Sequence, residues 1–418
     1  MTAFDQTALN RLAAAAPEWR RSGMEAGFEV FSSLEEPTGA EEDWRYVDLG
    51  TSFSELAPVT GTPGATIPAG PFESALSDTS GSALIVDGTV VEFESDGAIL
   101  STLATVDSDR WSVSVAPDHN KLAAAHTAFA HDGLFIDVPA NTVIGQPLLV
   151  EVQGVTPDSA SFPHLSVNLG ANAEASVAVV YRSGARLLMV PDVELNVGQG
   201  ANLRFLAVQN LSPTAIGVVH QRVHLQRDAT VRIGEVGLGG RFGRLDLTLE
   251  LEGDGCSADT VGLYFGEGEQ TLDYRMLIRH SGKNTSSDVL LKGAVEDAAE
   301  SVFTGLVRIE KDAVRTSSFE TNRNLVLSEN AKAHSVPNLE ILCDDVICGH
   351  GSSVGPLEED NLYYLQSRGL SRSRAERLLI KGFFQEVIDR LPIRGFEAPI
   401  ATEVFRRFVS AQEEGRVA

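Results

Sequence analysis

The 418-residue sequence predicts a mainly β fold, with an elongated β-solenoid core between an N-terminal and a C-terminal helical region. Three observations carry this. From about residue 82 to 355, short runs rich in Val, Leu and Ile are separated by Gly, Asn and Asp. A turn-like element recurs ahead of these runs. No stretch in that region sustains a 3.6-residue apolar period over a dozen residues, so the crossover helices of a doubly wound α/β fold are not expected.

The first region, residues 1–80, opens on a short amphipathic pattern of Leu9, Leu12, Ala13 and Ala16 that Pro17 stops. It then passes through Trp44-Arg45-Tyr46 into a Gly/Pro/Thr stretch around 58–71, which reads as a small helical cap followed by a linker.

The core, residues 81–356, holds runs such as Ala83-Leu84-Ile85-Val86, Leu187-Leu188-Met189-Val190 and Leu245-Asp246-Leu247-Thr248-Leu249. The recurring turn element is Gly170-Ala171-Asn172, Gly200-Ala201-Asn202, Asp228-Ala229-Thr230, Asp254-Gly255-Cys256, Asp297-Ala298-Ala299, Asp312-Ala313-Val314 and Asn330-Ala331-Lys332. The spacings are 30, 28, 26, 43, 15 and 18 residues. Imperfect recurrence of this kind fits stacked coils, each unable to cover its apolar face until a neighbour stacks on it. A propeller would show a steadier and longer period; a β-sandwich stays open because the spacing is loose.

The last region, residues 357–418, switches to a helical period. Leu362 and Leu365 precede Gly369, a C-terminal cap. Ser373 and Glu376 form a capping box ahead of Ala375, Leu378, Leu379, Phe383 and Val387, with Pro392 as the stop. A final helix carries Val404, Phe405, Phe408 and Val409. From residue 357 onward 10 Lys/Arg balance 10 Asp/Glu, so the whole acidic excess lies before it and marks a boundary near 356.

The chain has 33 Lys and Arg against 58 Asp and Glu, a net charge of -25, which repels nucleic acid and anionic membrane surfaces. No secretory pattern and no long apolar window occur, and three cysteines are too few for a disulfide framework. A cytoplasmic location is expected.

Gly351-Ser352-Ser353-Val354-Gly355 matches the G-x-S-x-G nucleophile elbow, which would make Ser353 an acyl-transfer nucleophile; no histidine follows His350 to complete a triad. A phosphate-binding loop is absent, so ATP hydrolysis must come from a partner. His220 and His224 share one face of a predicted strand, where solvent-facing or hydrogen-bonded roles are expected of them. The segment Cys343-Asp344-Asp345-Val346-Ile347-Cys348-Gly349-His350 concentrates soft ligands suited to iron-sulfur chemistry or zinc. If the strand runs through 350, Cys348 and His350 point to the same side. Four ligands are not available locally, so no closed metal site is expected, and Cys343 reads as a buried strand residue.

These residues resemble a known family. Pro337-Asn338-Leu339-Glu340-Ile341, Asp344-Asp345-Val346, Cys348-Gly349-His350-Gly351, Val354-Gly355, Leu362-Tyr363-Tyr364-Leu365, Ser367-Arg368-Gly369 and Gly382-Phe383 run in the order seen in SufB/SufD proteins. Arg279-His280-Ser281, Lys292-Gly293 and Phe303-Thr304-Gly305 look like its upstream motifs, and Asp43-Trp44-Arg45-Tyr46 resembles the N-terminal signature of the SufD branch. Ala331 and Gly351 stand where SufB carries an essential cysteine and a glutamate, which also points to SufD.

The resemblance implies a right-handed parallel β-helix and a non-catalytic scaffold subunit that helps SufB and the SufC ATPase build and transfer iron-sulfur clusters. A homodimer in isolation is also compatible with it. It implies His350, with Cys348, as a ligand to a transient cluster or iron at an interface shared with SufB, nothing being held tightly by this chain alone. It places the ATPase contact on the C-terminal helices, where Arg372, Arg374, Arg377, Lys381 and Phe383 lie. The alternatives weighed against it are a carbohydrate-binding or carbohydrate-cleaving solenoid and a serine hydrolase using Ser353.

Overall fold

The computed structural model describes residues 3–61 and 63–413, with side chains to residue 408; the place of the Val409 side chain and residues 414–418 fall outside it. Two sheets form the core. Eight strands of the first, from Leu134–Val138 to Lys332–Ile341, pair parallel and in register, as do nine of the second, from Gly81–Val86 to Val346–Gly355. From Asp192–Val197 onward, sequence-adjacent strands alternate between the sheets and each pairs with the strand two further on, which is coil stacking and excludes a face-packed sandwich. Thr89–Ser95 and Ile99–Thr102 pair antiparallel against the first strands of the two sheets and finish the N-terminal end.

The period is sharper in the structure than in the sequence. One corner of the coil carries left-handed residues at Asn141, Asn172, Gly200, Asp228, Gly255, Asn284 and Arg315, spaced 27 to 31 residues apart. Most are Asn, Asp or Gly, which tolerate that region. Each amide donates to a carbonyl one coil on: Gly200 to Arg227 at 2.9 Å, Gly255 to Lys283 at 2.8 Å, Asn284 to Val314 at 2.9 Å. The elements at 297–299 and 330–332 belong to the opposite corner, where the Gly268 amide donates to Asp297 at 2.8 Å. Interleaving two corners produced the uneven spacing.

Short of the last coil both sheets are largely buried on both faces, so most of their strands are apolar-rich runs rather than alternating ones. The lumen holds one cluster that includes Val177, Phe205, Val231, Ile233, Leu249, Ile278 and Val289. On the outer face of the first sheet lie helices α1 (Gln6–Ala15), α2 (Glu18–Ser33) and α3 (Lys121–Phe129). Pro17 ends α1 and its restricted φ starts α2, so the first region holds two helices where one was expected. These helices flank the solenoid rather than capping its end, with Phe4, Phe31, Phe129, Phe162, Val190, Val218 and Phe242 in one cluster. The helix α3 corrects the expectation of a helix-free core. Leu122 to Phe129 are all buried, so it has no polar face and shows no amphipathic period.

A charged seam holds this layer down. His164, Asp192, His220, Asp246 and Arg275 stand in register, one per strand, under the N-terminal segment. Arg244 bridges Asp246 at 2.9 Å and Asp273 at 3.0 Å, donates to the Asp43 carbonyl at 2.7 Å and lies 4.2 Å over the Trp44 ring. Burial pushes Asp192 up to about 7 and His220 down to about 4. His220 is fully buried with no hydrogen bond on either ring nitrogen, contrary to the solvent-facing or bonded role expected of it.

The second sheet is covered by α4 (Glu359–Ser367), α5 (Arg372–Arg390) and α6 (Glu397–Glu413). Ile380, Phe384, Val387, Phe396, Val404 and Phe408 pack on Leu206, Val236, Val261, Leu263 and Phe265. The helical region therefore shares a core with the solenoid. Gly369 adopts φ 91° after α4, as expected of its cap. The cap of α5 is Ser371, which accepts from the Arg374 amide; Ser373 lies inside the helix and Glu376 pairs with Arg372 at 2.9 Å, so the N-cap falls two residues before the expected one and the Ser373–Glu376 pair does not serve as its capping box.

One lumenal carboxylate yields a pH test. Glu235 is 1% exposed and accepts from Gln221 at 3.0 Å, yet burial pushes it up to about 8. Its folded pKa lies above the unfolded one, so the folded state keeps a proton that the unfolded chain loses, and stability falls as pH rises from about 4.5 to 8. Glu235→Gln is expected to raise Tm at pH 9, with a gain of roughly 2–4 kcal/mol, and to leave stability unchanged near pH 4, by thermal denaturation across pH.

Candidate functional site

The solenoid ends on two edge strands, Lys332–Ile341 in the first sheet and Val346–Gly355 in the second. Their outer edges carry unpaired backbone groups, a template for another chain. Large apolar side chains are exposed around this end: Ile347 at 69%, with Phe319, Ile341, Leu342 and Val354.

Register fixes where the soft ligands point. The column Phe205, Ile233, Thr260, Val289, Glu320, His350 runs rung by rung through the second sheet. Its first members lie in the lumenal core, so His350 faces the lumen at its open mouth. Cys348 does the same above Val231, Ala258, Ser287 and Ser318. Ser352 confirms the direction, donating across the last coil to Ser335 at 2.8 Å. The two ligand candidates thus share a side, as their spacing predicted; Cys343 is buried as expected, but in the connection between the last two strands rather than within one.

Beneath them the lumen turns polar. In the strand Thr316–Val326 the inward residues Thr316, Ser318, Glu320, Asn322 and Asn324 are all buried. His280 bonds Ser287 at 2.9 Å, and Ser287 bonds Ser318 at 2.7 Å, one rung under Cys348. Asn322 donates to the Tyr264 hydroxyl at 3.2 Å and to that end of the network Asn324 adds its bond to Asn322 at 2.6 Å. Burial holds the His280 imidazole down to about 4 and pushes Glu320 up to about 7. It also raises the Cys348 thiol, which is therefore no activated thiolate.

Glu320 was not singled out by sequence motifs. The signal was an unbroken polar run from 316 to 324, interrupted only by Phe319, where neighbouring strands carry apolar residues; which of those polar residues point inward shows only in the alternating burial of the folded strand. Gly305, from the Phe303-Thr304-Gly305 motif, faces it: a Cβ there would lie 2.2 Å from the Glu320 Oε2.

Among the described residues no three or more His, Cys, Asp and Glu side chains are arranged to hold a metal ion. Ser353 is exposed within an extended strand, so the strand-to-helix elbow that a serine nucleophile needs is missing. On the C-terminal helices Arg374 and Lys381 are exposed, Arg377 is half-buried, and Arg372 pairs with Glu359 at 3.0 Å. Phe383 packs on the cluster beneath and takes Lys292 4.9 Å over its ring. No helix among the described residues is long and apolar enough to cross a membrane.

A family model described as the SUF system FeS cluster assembly, SufBD core domain, matches residues 152–383, a span containing the later coils, the open end and most of α5. An iron-sulfur cluster assembly SufBD family protein of Mycobacterium tuberculosis is 30% identical over 376 residues, covering 88% of each chain. The assembly protein SufD of Bacillus subtilis is 33% identical over 303 residues, 70% of this chain and 68% of its own. That of Escherichia coli is 27% identical over 379 residues, 89% of each. A core match over more than half the sequence, together with relatives matched along most of their length, shows that this chain belongs to the SufBD family of iron-sulfur cluster assembly proteins.

Proposed function

We propose that this chain is a SufD-like, non-catalytic scaffold subunit of the SUF system, acting in the cytoplasm with a SufB-like subunit and a SufC-like ATPase. The observation that carries it is the open last coil, with Cys348 and His350 aimed into the lumen between two unpaired edge strands. Parallel edges offer backbone pairing to a second solenoid end, and exposed apolar side chains around them favour burial by it. His350 then stands where two chains meet and supplies a neutral imidazole to a nascent cluster or iron, while the opposing subunit supplies thiolate. Cys348, with its raised thiol, serves mainly as packing.

His350→Ala is expected to leave folding and complex assembly intact, since the side chain is exposed, and to lower the iron and sulfide of the anaerobically reconstituted complex several-fold. Cys348→Ala should cost less. Normal iron and sulfide in the His350→Ala complex would refute the shared site.

The ATPase contact is assigned to the exposed face of α4 and α5. Arg374, Leu378 and Lys381 follow helical spacing on one face, and Tyr363 at 76% and Tyr364 at 55% are the most exposed aromatics there. Deleting these helices would strip the second sheet of its cover, so surface substitutions are the better test. Leu378→Asp combined with Lys381→Glu should abolish co-purification of the ATPase subunit while Tm stays within a few degrees of wild type. Undiminished co-purification would place the contact elsewhere.

A further inference from the structure

The penultimate coil buries a carboxylate that no described residue serves. Of the five inward residues of Thr316–Val326, four find partners: Thr316 donates to the Ala313 carbonyl at 2.8 Å, Ser318 bonds Ser287, and Asn322 and Asn324 join Tyr264. Glu320 is the exception. It is 1% exposed, and neither carboxylate oxygen has a hydrogen-bond partner. Buried polar groups are paired almost without exception, so an orphan carboxylate marks a missing guest.

Its surroundings define the guest. Val289 lies one rung below it and His350 one rung above. Ser318 and Asn322 flank it on its own strand with their hydrogen bonds already committed. Across the lumen, the missing side chain of Gly305 makes the space that the carboxylate occupies. The coil above is the last, so one rung, that of His350, separates Glu320 from the open mouth. A carboxylate without a counter-charge attracts cations and repels anionic sulfur. Paired with an imidazole it makes an oxygen and nitrogen donor set suited to divalent first-row metals.

We propose that Glu320 and His350 together bind a divalent transition-metal ion at the mouth of the lumen, with Glu320 holding it from the coil below. The remaining positions around the ion fall to water, Cys348 or the opposing subunit, since no closed set of three donors exists among the described residues. This deepens the assignment of His350 and rests on it. It adds a residue that lies outside the Cys348-Gly349-His350-Gly351 motif and thirty positions before its histidine.

The test uses the full-length chain under anaerobic conditions with Co²⁺ alone as the probe, followed by its d–d absorption. Wild type should bind one equivalent. Glu320→Gln, which keeps the shape and removes the charge, should weaken binding roughly tenfold or more, as should His350→Ala. Gly305→Ala provides a second route, because its methyl group displaces the carboxylate without removing it and the flexible end of Glu320 can yield. Circular dichroism should be unchanged in all three. Wild-type Co²⁺ affinity in Glu320→Gln, or no binding by wild type, overturns the site. The two readings fail separately. Retained affinity in Glu320→Gln with loss in His350→Ala overturns the proposed two-residue site and leaves the reading of His350 as a ligand standing. Loss in Glu320→Gln alongside normal iron and sulfide in the His350→Ala complex keeps the cation site and removes the shared-cluster role.

Discussion

A solenoid coil cannot complete itself. Its backbone donors and acceptors, and the apolar faces of its lumenal side chains, are satisfied only by the coils stacked before and after it. In this chain the parallel register holds without a slip from rung to rung in the later coils, so each lumenal residue has one predecessor and one successor. The N-terminal end closes on antiparallel strands. The C-terminal end does not, and the position of every candidate side chain follows from that asymmetry. His350 and Cys348 lack a rung above them; Glu320 lacks a counter-charge below His350.

Covering the flanks leaves the end as the natural surface for pairing. The N-terminal layer seals the first sheet and the C-terminal helices seal the second, each over a large apolar cluster. The N-terminal segment reaches the last coil as well, where Tyr46, with φ 79°, stacks 4.9 Å from His334 on the final strand of the first sheet. Polar groups divide by place. On the outer face they form a seam tied to Arg244 and Arg275. In the lumen they gather toward the open end, where burial raises the Glu320 carboxylate in the penultimate coil and depresses the His280 imidazole in the coil before it.

Much of this was legible in the sequence. Strand texture, Asn and Asp turns and the switch to a helical period at 357 gave the three-part order, because turn chemistry and period are local properties. The motif around Cys348 and His350 gave the ligand candidates, and strand alternation gave their common side. What was missed depends on distant contacts. The helix α3 hides because it is buried all round. The two corners of a coil look alike in sequence and separate only once stacked. The burial of His220 depends on an N-terminal layer more than a hundred residues away. Glu320 gains its meaning from Gly305 across the lumen and His350 thirty residues on, neither of which is a sequence neighbour.

Pairing of the open end with another subunit is the claim on which the functional assignment turns. Hydrogen-deuterium exchange of the chain, free and in complex with its SufB-like partner, addresses it directly. Amides of Lys332–Ile341 and Val346–Gly355 should exchange fast in the free chain and become protected in the complex, while the flanking helical layers change little outside the ATPase contact. An intact complex in which those two strands exchange as fast as in the free chain would contradict it.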